Sequence, residues 1–157
     1  MSRVYAVTFE AVAVSAAQDF FEIAPADDKP VCLHACYLSQ SSDVGDAAEE
    51  LLRVKIIRGH ATTGSGGSAA TGVPLGPSDT AAGFAAEVNN TTIASAGTGV
   101  DVHAEQFNIR TGWAWVPTPE ARPYCSQAAG VLIVVRLMAA PADALTMSGT
   151  LIVEELI

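Results

Sequence analysis

The stretch that decides the fold class is LLRVKIIR (Leu51–Arg58) followed by GHATTGSGGSAATGVPLGPSDTAAG (Gly59–Gly83). The first run alternates apolar residues as a β-strand does, and the second is crowded with glycine, serine and threonine. Within it, Gly64–Ala69 fits the dinucleotide-binding pattern G-x-G-x-x-A, which must open a helix. Pro74 and Pro77, with the glycines beside them, forbid that helix. The pattern therefore favours a long loop in an all-β domain.

A phosphate-binding loop is disfavoured by the same stretch. Counted from Gly59 and Gly64, the residue that would have to be lysine is Ser65. Composition alone would also allow a linker between two domains, but neither flank supports an independent core: roughly 58 residues precede it, and the strand count of a sandwich is complete only with both halves. We expect instead one domain over residues 1–157, in which residues 59–83 form a long exposed loop between two strands, ordered by contact with a neighbouring subunit.

Strand patterns dominate the remainder of the chain, and they predict an antiparallel β-sandwich of about eight strands, with jelly-roll topology as the first choice. Only Asp43–Leu52 has a helical pattern, so we expect at most one short helix. The predicted strands are Arg3–Val14, Asp19–Ala24, Val31–Leu38, Leu51–Arg58, Ala86–Ser95, Gln106–Val116, Val131–Met138 and Leu145–Glu154.

Composition limits the classes of partner. The 157 residues carry a formal net charge of −9 and contain no cluster of lysine and arginine, which disfavours nucleic acid. No apolar run reaches the length of a membrane span, and the apolar N-terminus is better explained as a first strand than as a secretion signal. Three cysteines are an odd number, which argues against a disulfide framework and favours a reducing compartment.

The pattern C-x-H-x-C at Cys32, His34 and Cys36 suggests zinc, but strand geometry argues against it. Residues four apart on a strand lie roughly 13 Å from each other, too far for two thiolates to share one ion. We expect these three residues on one face of a strand, with the cysteines acting as small apolar side chains. No motif of a hydrolase or metalloprotease occurs, so we predict a protein that is not an enzyme and needs no cofactor or metal.

Trp113 and Trp115 lie two residues apart and should share one face of a strand. If exposed, they would form a stacking platform, and the alternative function is a carbohydrate- or receptor-binding sandwich. Because large aromatic side chains are usually buried, core or subunit interface is favoured.

The last two strands are apolar on both faces, which requires cover on both sides. We therefore expect a homo-oligomer, a trimer or another ring, in which a second subunit covers the outer face. The candidate interface residues are Trp113, Trp115, Leu151, Val153, Leu156, Ile157, Gly64, Gly66 and Gly67.

Three runs carry a family resemblance: KPVCLHACYLSQSSDVGDAAEELLRVKIIRGHATTGSGGS, FAAEVNNTTIASAGT and VVRLMAAPADALTMSGTLIVEEL. Together they resemble small virion-associated proteins encoded in the structural-gene regions of tailed bacteriophages and prophages. The resemblance implies a structural virion protein, either a capsid decoration protein or another symmetric component of the head or tail. We expect it to bind other virion or capsid proteins and to be located in the virion, which is assembled in the host cytoplasm. It implies no catalytic or ligand-binding residue.

Overall fold

The structure is a computed structural model that describes residues 3–42, 49–126 and 131–157. These residues form two antiparallel sheets packed face to face, so the predicted all-β sandwich is confirmed. The strands are β1 (Arg3–Val14), β2 (Gln18–Ala24), β3 (Val31–Gln40), β4 (Leu51–His60), β5 (Ser68–Ala70), β6 (Val73–Pro74), β7 (Ala85–Asn90), β8 (Val100–Asn108), β9 (Trp113–Trp115), β10 (Tyr124–Cys125), β11 (Leu132–Leu137) and β12 (Leu145–Glu155). A short 3-10 turn covers Pro119–Ala121.

The two sheets share the long strands almost equally. Sheet A has the order β10-β3-β12-β1-β6, with β9 also paired to β3, and sheet B has the order β5-β7-β2-β11-β4-β8. The first four strands alternate between the sheets, and β11 and β12 do the same. The jelly-roll topology stays a prediction.

The core lies between the sheets and follows from period-two alternation. In β12 every second side chain is buried, from Leu145 to Glu155. These side chains meet the inner residues of sheet B, among them Phe21 and Ile133, in one apolar cluster. Burial of this area provides the main stabilisation, at roughly 25 cal/mol per Å² of apolar surface.

Two β-bulges change which residues face outward. In β2 the register shifts so that Asp19 and Glu22, three residues apart, both pair with outward-facing positions of β11. In β3 a shift at His34 leaves Leu33 and Cys36 both facing the core. The expectation that Cys32, His34 and Cys36 share one face is therefore wrong, because an extra residue in one strand reverses the alternation beyond it.

The glycine-rich stretch is mostly exposed, as predicted, but it is ordered within the chain. β5 adds to the edge of sheet B beside β7, and β6 adds to the edge of sheet A beside β1. Isolated bridges join Thr62 to Ser95 and Ser65 to Thr92. The segment therefore connects the margins of both sheets, and its order does not require a neighbouring subunit.

The apolar outer face of β11 is covered by the chain itself. Leu132 and Val134 pack against Ile57 of β4 and against Ala94, which lies in the loop between β7 and β8. The expectation that a second subunit must cover this strand is wrong, because sequence patterning cannot show that a distant loop folds across the sheet.

Three predicted elements have different bounds. The strand predicted at Gln106–Val116 is the end of β8, a turn and β9, and Gly112 at the end of this turn has a φ of +70°. The strand predicted at Ala86–Ser95 ends at Asn90. Of the helix predicted at 43–52, residues 43–48 lie outside the described residues, and Leu51 and Leu52 belong to β4.

Candidate functional site

A buried ion pair lies on the outer side of sheet B, beneath the loop that contains Ala94. Arg136 donates from Nε to Asp19 Oδ1 at 2.6 Å and from Nη2 to Asp19 Oδ2 at 3.2 Å. Arg136 also donates to the Ala94 carbonyl at 3.1 Å, and the Ala94 amide donates to Asp19 at 2.7 Å. The pair therefore ties the loop between β7 and β8 to strands β2 and β11.

Glu22 holds the start of the glycine-rich stretch. The Gly64 amide donates to both carboxylate oxygens, at 3.1 Å and 2.9 Å. The pKa of Glu22 is raised to about 7: burial is the largest cause, the neighbouring Asp19 carboxyl acts in the same direction, and the Gly64 amide opposes the shift. A Cβ atom on Gly64 would lie 1.9 Å from the Thr92 carbonyl oxygen and 2.7 Å from the Glu22 carboxylate, so only glycine permits this approach.

Glu155 binds the backbone at the far end of the glycine-rich stretch. Its Oε1 accepts from the Gly83 amide at 2.7 Å and from the Phe84 amide at 3.0 Å, and the Tyr5 hydroxyl reaches its Oε2 at 3.4 Å. A Cβ atom on Gly83 would lie 2.7 Å from this carboxylate. Buried carboxylates of both sheets thus bind the two ends of the loop, which makes it a structural part of the sandwich.

Trp113 and Trp115 close the sandwich at the edge where β9 approaches β8. Their side chains are only 5% and 6% exposed, and they lie 6.4 Å apart between ring centroids. Glu105 accepts from Trp113 Nε1 at 2.9 Å and from His103 at 2.8 Å, and both hydrogen bonds lower the pKa of Glu105. The two indoles belong to the core, as the sequence favoured, and do not offer the exposed platform that carbohydrate binding would require.

The other predicted interface residues lie in different environments in the fold. Leu151 and Val153 are fully buried between the sheets, so their assignment to a subunit interface is wrong. Leu156 is half-buried, and Ile157 is 63% exposed and remains a candidate. Gly64, Gly66 and Gly67 contact the loop after β7 and the end of β7 in the same chain.

The outer face of sheet A is the candidate contact surface. Thr8 of β1 and Tyr37 and Ser39 of β3 are exposed there, and Ser148 and Thr150 of β12 lie between them. These residues line a shallow depression of about 360 Å³. We call this group the sheet-A face. Exposed Val73 and Leu75 lie at the β1 edge of the same sheet.

A second constellation lies nearer the other end of sheet A. Cys32, His34 and Glu154 each offer one potential ligand atom, and these atoms all lie within 4.8 Å of one another. His34 Nε2 is 2.5 Å from Glu154 Oε2, and Arg122 Nη1 is 3.5 Å from the same nitrogen. The set differs from the one that the sequence suggested, because Glu154 replaces Cys36.

Comparisons with protein-family models, curated proteins and solved structures gave no significant match. In the described ranges, no helix has the length and apolar character needed to cross a membrane. The function must therefore be argued from the residues and surfaces themselves.

Proposed function

We propose that the chain is a non-enzymatic structural protein of a tailed-phage virion, which self-associates and decorates the capsid through the sheet-A face. One observation carries the proposal: the outer faces of the two sheets differ in how far the chain itself covers them. Over β2 and β11, sheet B is covered by the chain's own loop, whereas the sheet-A face presents small hydroxyl side chains and Tyr37 to solvent.

Such a face suits a broad contact with another folded surface. Serine and threonine side chains are short, so a partner's backbone can approach closely, and an exposed tyrosine adds a rigid amphipathic anchor. The Gly59–Gly83 stretch is fastened to both sheets, so a contact beside it would lose little conformational entropy on binding.

The strand order supports the proposed topology and role. Four strands of sheet A follow the order β9-β3-β12-β1, and four strands of sheet B follow β8-β4-β11-β2. Consecutive strands that alternate between two such sheets are what a jelly roll requires, and jelly rolls are frequent in viral capsid domains. We include the jelly-roll topology in the proposal, although fold alone does not assign function.

The proposal also includes a homo-oligomer, a trimer or another ring, on the particle. Its partners are copies of the chain and other capsid proteins, and its location is the virion. Support for self-association comes from Val73 and Leu75, which are exposed next to each other at the β1 edge of sheet A.

The test is co-sedimentation of the purified protein with capsid shells that lack it, taken from a phage whose structural genes encode the chain. Thr8→Arg places a large charged side chain on the sheet-A face. Ala104→Arg places the same side chain at an exposed position of β8 in sheet B and is the matched control. We expect the first variant to lose shell binding and the second to retain it.

Equal binding by both variants would exclude the sheet-A face as the docking surface. Absence of shell binding by the unaltered protein would exclude decoration altogether. Sedimentation equilibrium of the same samples measures self-association independently, and a monomer at micromolar concentration would contradict the proposed oligomer.

A further inference from the structure

We propose that Cys32, His34 and Glu154 form a binding site for a divalent transition-metal ion of the Zn²⁺ class. The inference is independent of the capsid proposal, because it concerns the edge of the sheet-A surface nearest to β10. Thiolate, imidazole and carboxylate are the three ligand types that zinc accepts in proteins.

The fold brings the three side chains together from two strands. Glu154 of β12 is the direct cross-strand partner of Cys32 in β3, which places both on the outer side of sheet A. His34 lies two residues after Cys32 in β3 and projects to the same side, where it contacts Glu154. The bulge at His34 turns Cys36 to the core, which removes this cysteine from the outward-facing set. The ligand set is therefore a product of register, which residue spacing alone could not reveal.

The distances fit a metal after a small adjustment. Bonds of 2.0–2.3 Å to a tetrahedral zinc place neighbouring ligand atoms roughly 3.3–3.8 Å apart. The three atoms here lie within 4.8 Å of one another, and the shortest separation is the 2.5 Å between His34 and Glu154. Opening that pair by about 1 Å, a change within rotamer adjustment, would admit an ion between them. Three protein ligands leave a fourth position for water or another ligand.

Cys32 must lose its proton to bind the metal. Burial raises the pKa of this thiol, so without an ion it is protonated, while a hydrogen bond with Tyr124 opposes the shift. Metal binding releases that proton to solvent, and the Tyr124 hydroxyl then lies where it can donate to the thiolate. The thiolate and the Glu154 carboxylate together balance the two positive charges of the ion.

Arg122 places a positive charge beside the three candidate ligands. Its guanidinium lies 3.5 Å from His34 Nε2, and its Nε is buried without a hydrogen-bond partner. A fixed positive charge this close disfavours a cation, so Arg122 is expected to weaken metal binding. Removal of this charge is therefore expected to tighten metal binding.

The experiment is a titration of chelator-treated protein with Co²⁺, followed by thiolate-to-cobalt charge-transfer absorption, with Zn²⁺ competition for affinity. The Cys36→Ala/Cys125→Ala background removes the other two thiols of the chain, so any thiolate band in it comes from Cys32. We expect one Co²⁺ per chain in this background. His34→Gln and Glu154→Gln should each weaken binding by about 100-fold, and Arg122→Gln should tighten it by about tenfold.

The proposal is overturned if the background variant shows no saturable one-to-one binding while its circular dichroism matches that of the unaltered chain. It is also overturned if binding occurs without the thiolate band, or if the band survives Cys32→Ser in the unaltered chain. Should the double-alanine background fail to fold, the unaltered chain and Cys32→Ser give the same comparison, because Cys36 and Cys125 are then present in both.

Discussion

At the residue scale, single charged residues inside apolar strands connect the covering loops to sheet B. Arg136 interrupts the run VLIVVRLM, and Asp19 and Glu22 flank the phenylalanines of DFFEIA. Buried charges must be paired and hydrogen-bonded, since an uncompensated one costs several kcal/mol. The structure satisfies all three with backbone amides, a carbonyl or each other. These residues therefore determine where the covering loops lie.

The raised pKa of Glu22 predicts a pH-dependent stability. The folded state binds this proton more tightly than the unfolded state, whose Glu pKa is 4.5. The contribution of Glu22 to the free energy of unfolding is therefore full below pH 4.5 and is lost as pH rises through about 7. We expect the urea midpoint to fall across this window in the unaltered chain.

Glu22→Gln is the control for this prediction, because glutamine keeps an oxygen that can accept from the Gly64 amide and has no proton to lose. Its midpoint should change much less between the same two pH values. An equal fall in both proteins would assign the effect to another group, and no fall in either would contradict the shifted pKa.

The sequence could have indicated these residues but not their partners. A charged side chain in a strand that is otherwise apolar predicts a buried pair, and Arg136 and Asp19 fit that rule. The bulge at Phe20, which puts Asp19 and Glu22 on the same side, depends on pairing with β11. Pairing is a long-range property, so the local alternation of DFFEIA could not show it.

At the scale of elements, the glycine-rich stretch behaves as an edge for both sheets. β5 pairs with β7 over three residues and β6 pairs with β1 over two, which covers backbone groups that an open sheet edge would expose. Gly67 permits this approach, since a Cβ atom there would lie 2.0 Å from the Val88 carbonyl oxygen. Its amide also donates to Asn90 Oδ1 at 3.1 Å.

We therefore expect Gly67→Ala to separate β5 from β7 and to lower the free energy of unfolding by about 1–3 kcal/mol. Gly76→Ala is the matched control: its Cβ would approach only the Asp79 carboxylate, the end of an exposed side chain that can rotate away. The control should stay within about 0.5 kcal/mol of the unaltered chain. Hydrogen exchange at Ser68–Ala70 reports strand separation directly, and unchanged protection in Gly67→Ala would contradict this role.

Most long strands were predictable, and the errors lie in strands that have little or no apolar periodicity. The apolar runs of β1, β4, β11 and β12 have clear periodicity and lie close to their predicted positions. β8 begins at Val100 in the polar run VDVHAEQFN, in which Phe107 alone is buried, so alternation gave little signal. β5, β6 and β10 have two or three residues each, too few for any periodicity.

For the whole molecule, the sandwich was predictable because strand count and the absence of alternating helices determine the class. The residues of the candidate interface were less predictable than the sandwich. Leu151 and Val153 read as surface only if β12 is apolar on both sides, whereas the structure places them in the core and puts Ser148 and Thr150 outside. The alternation of Leu145, Met147, Leu151 and Val153 with threonine and serine already indicates which face of β12 meets the core, so the sequence of this strand argues against the interface assignment.

The arrangement of the two sheets predicts a single cooperative unfolding transition. Side chains from both sheets share one apolar cluster, and the Gly59–Gly83 stretch pairs with sheet A and sheet B at once. Neither sheet can lose its partner without exposing that cluster, so partial unfolding should cost nearly as much free energy as complete unfolding.

Trp113 and Trp115 report the closed edge between β8 and β9 by fluorescence, whereas far-ultraviolet circular dichroism reports all strands. We expect the two denaturation curves to coincide, and Gly67→Ala to shift both to lower denaturant by the same amount. A fluorescence transition that precedes the loss of strand signal would mean that the β8–β9 edge opens on its own and that the sandwich is not one cooperative unit.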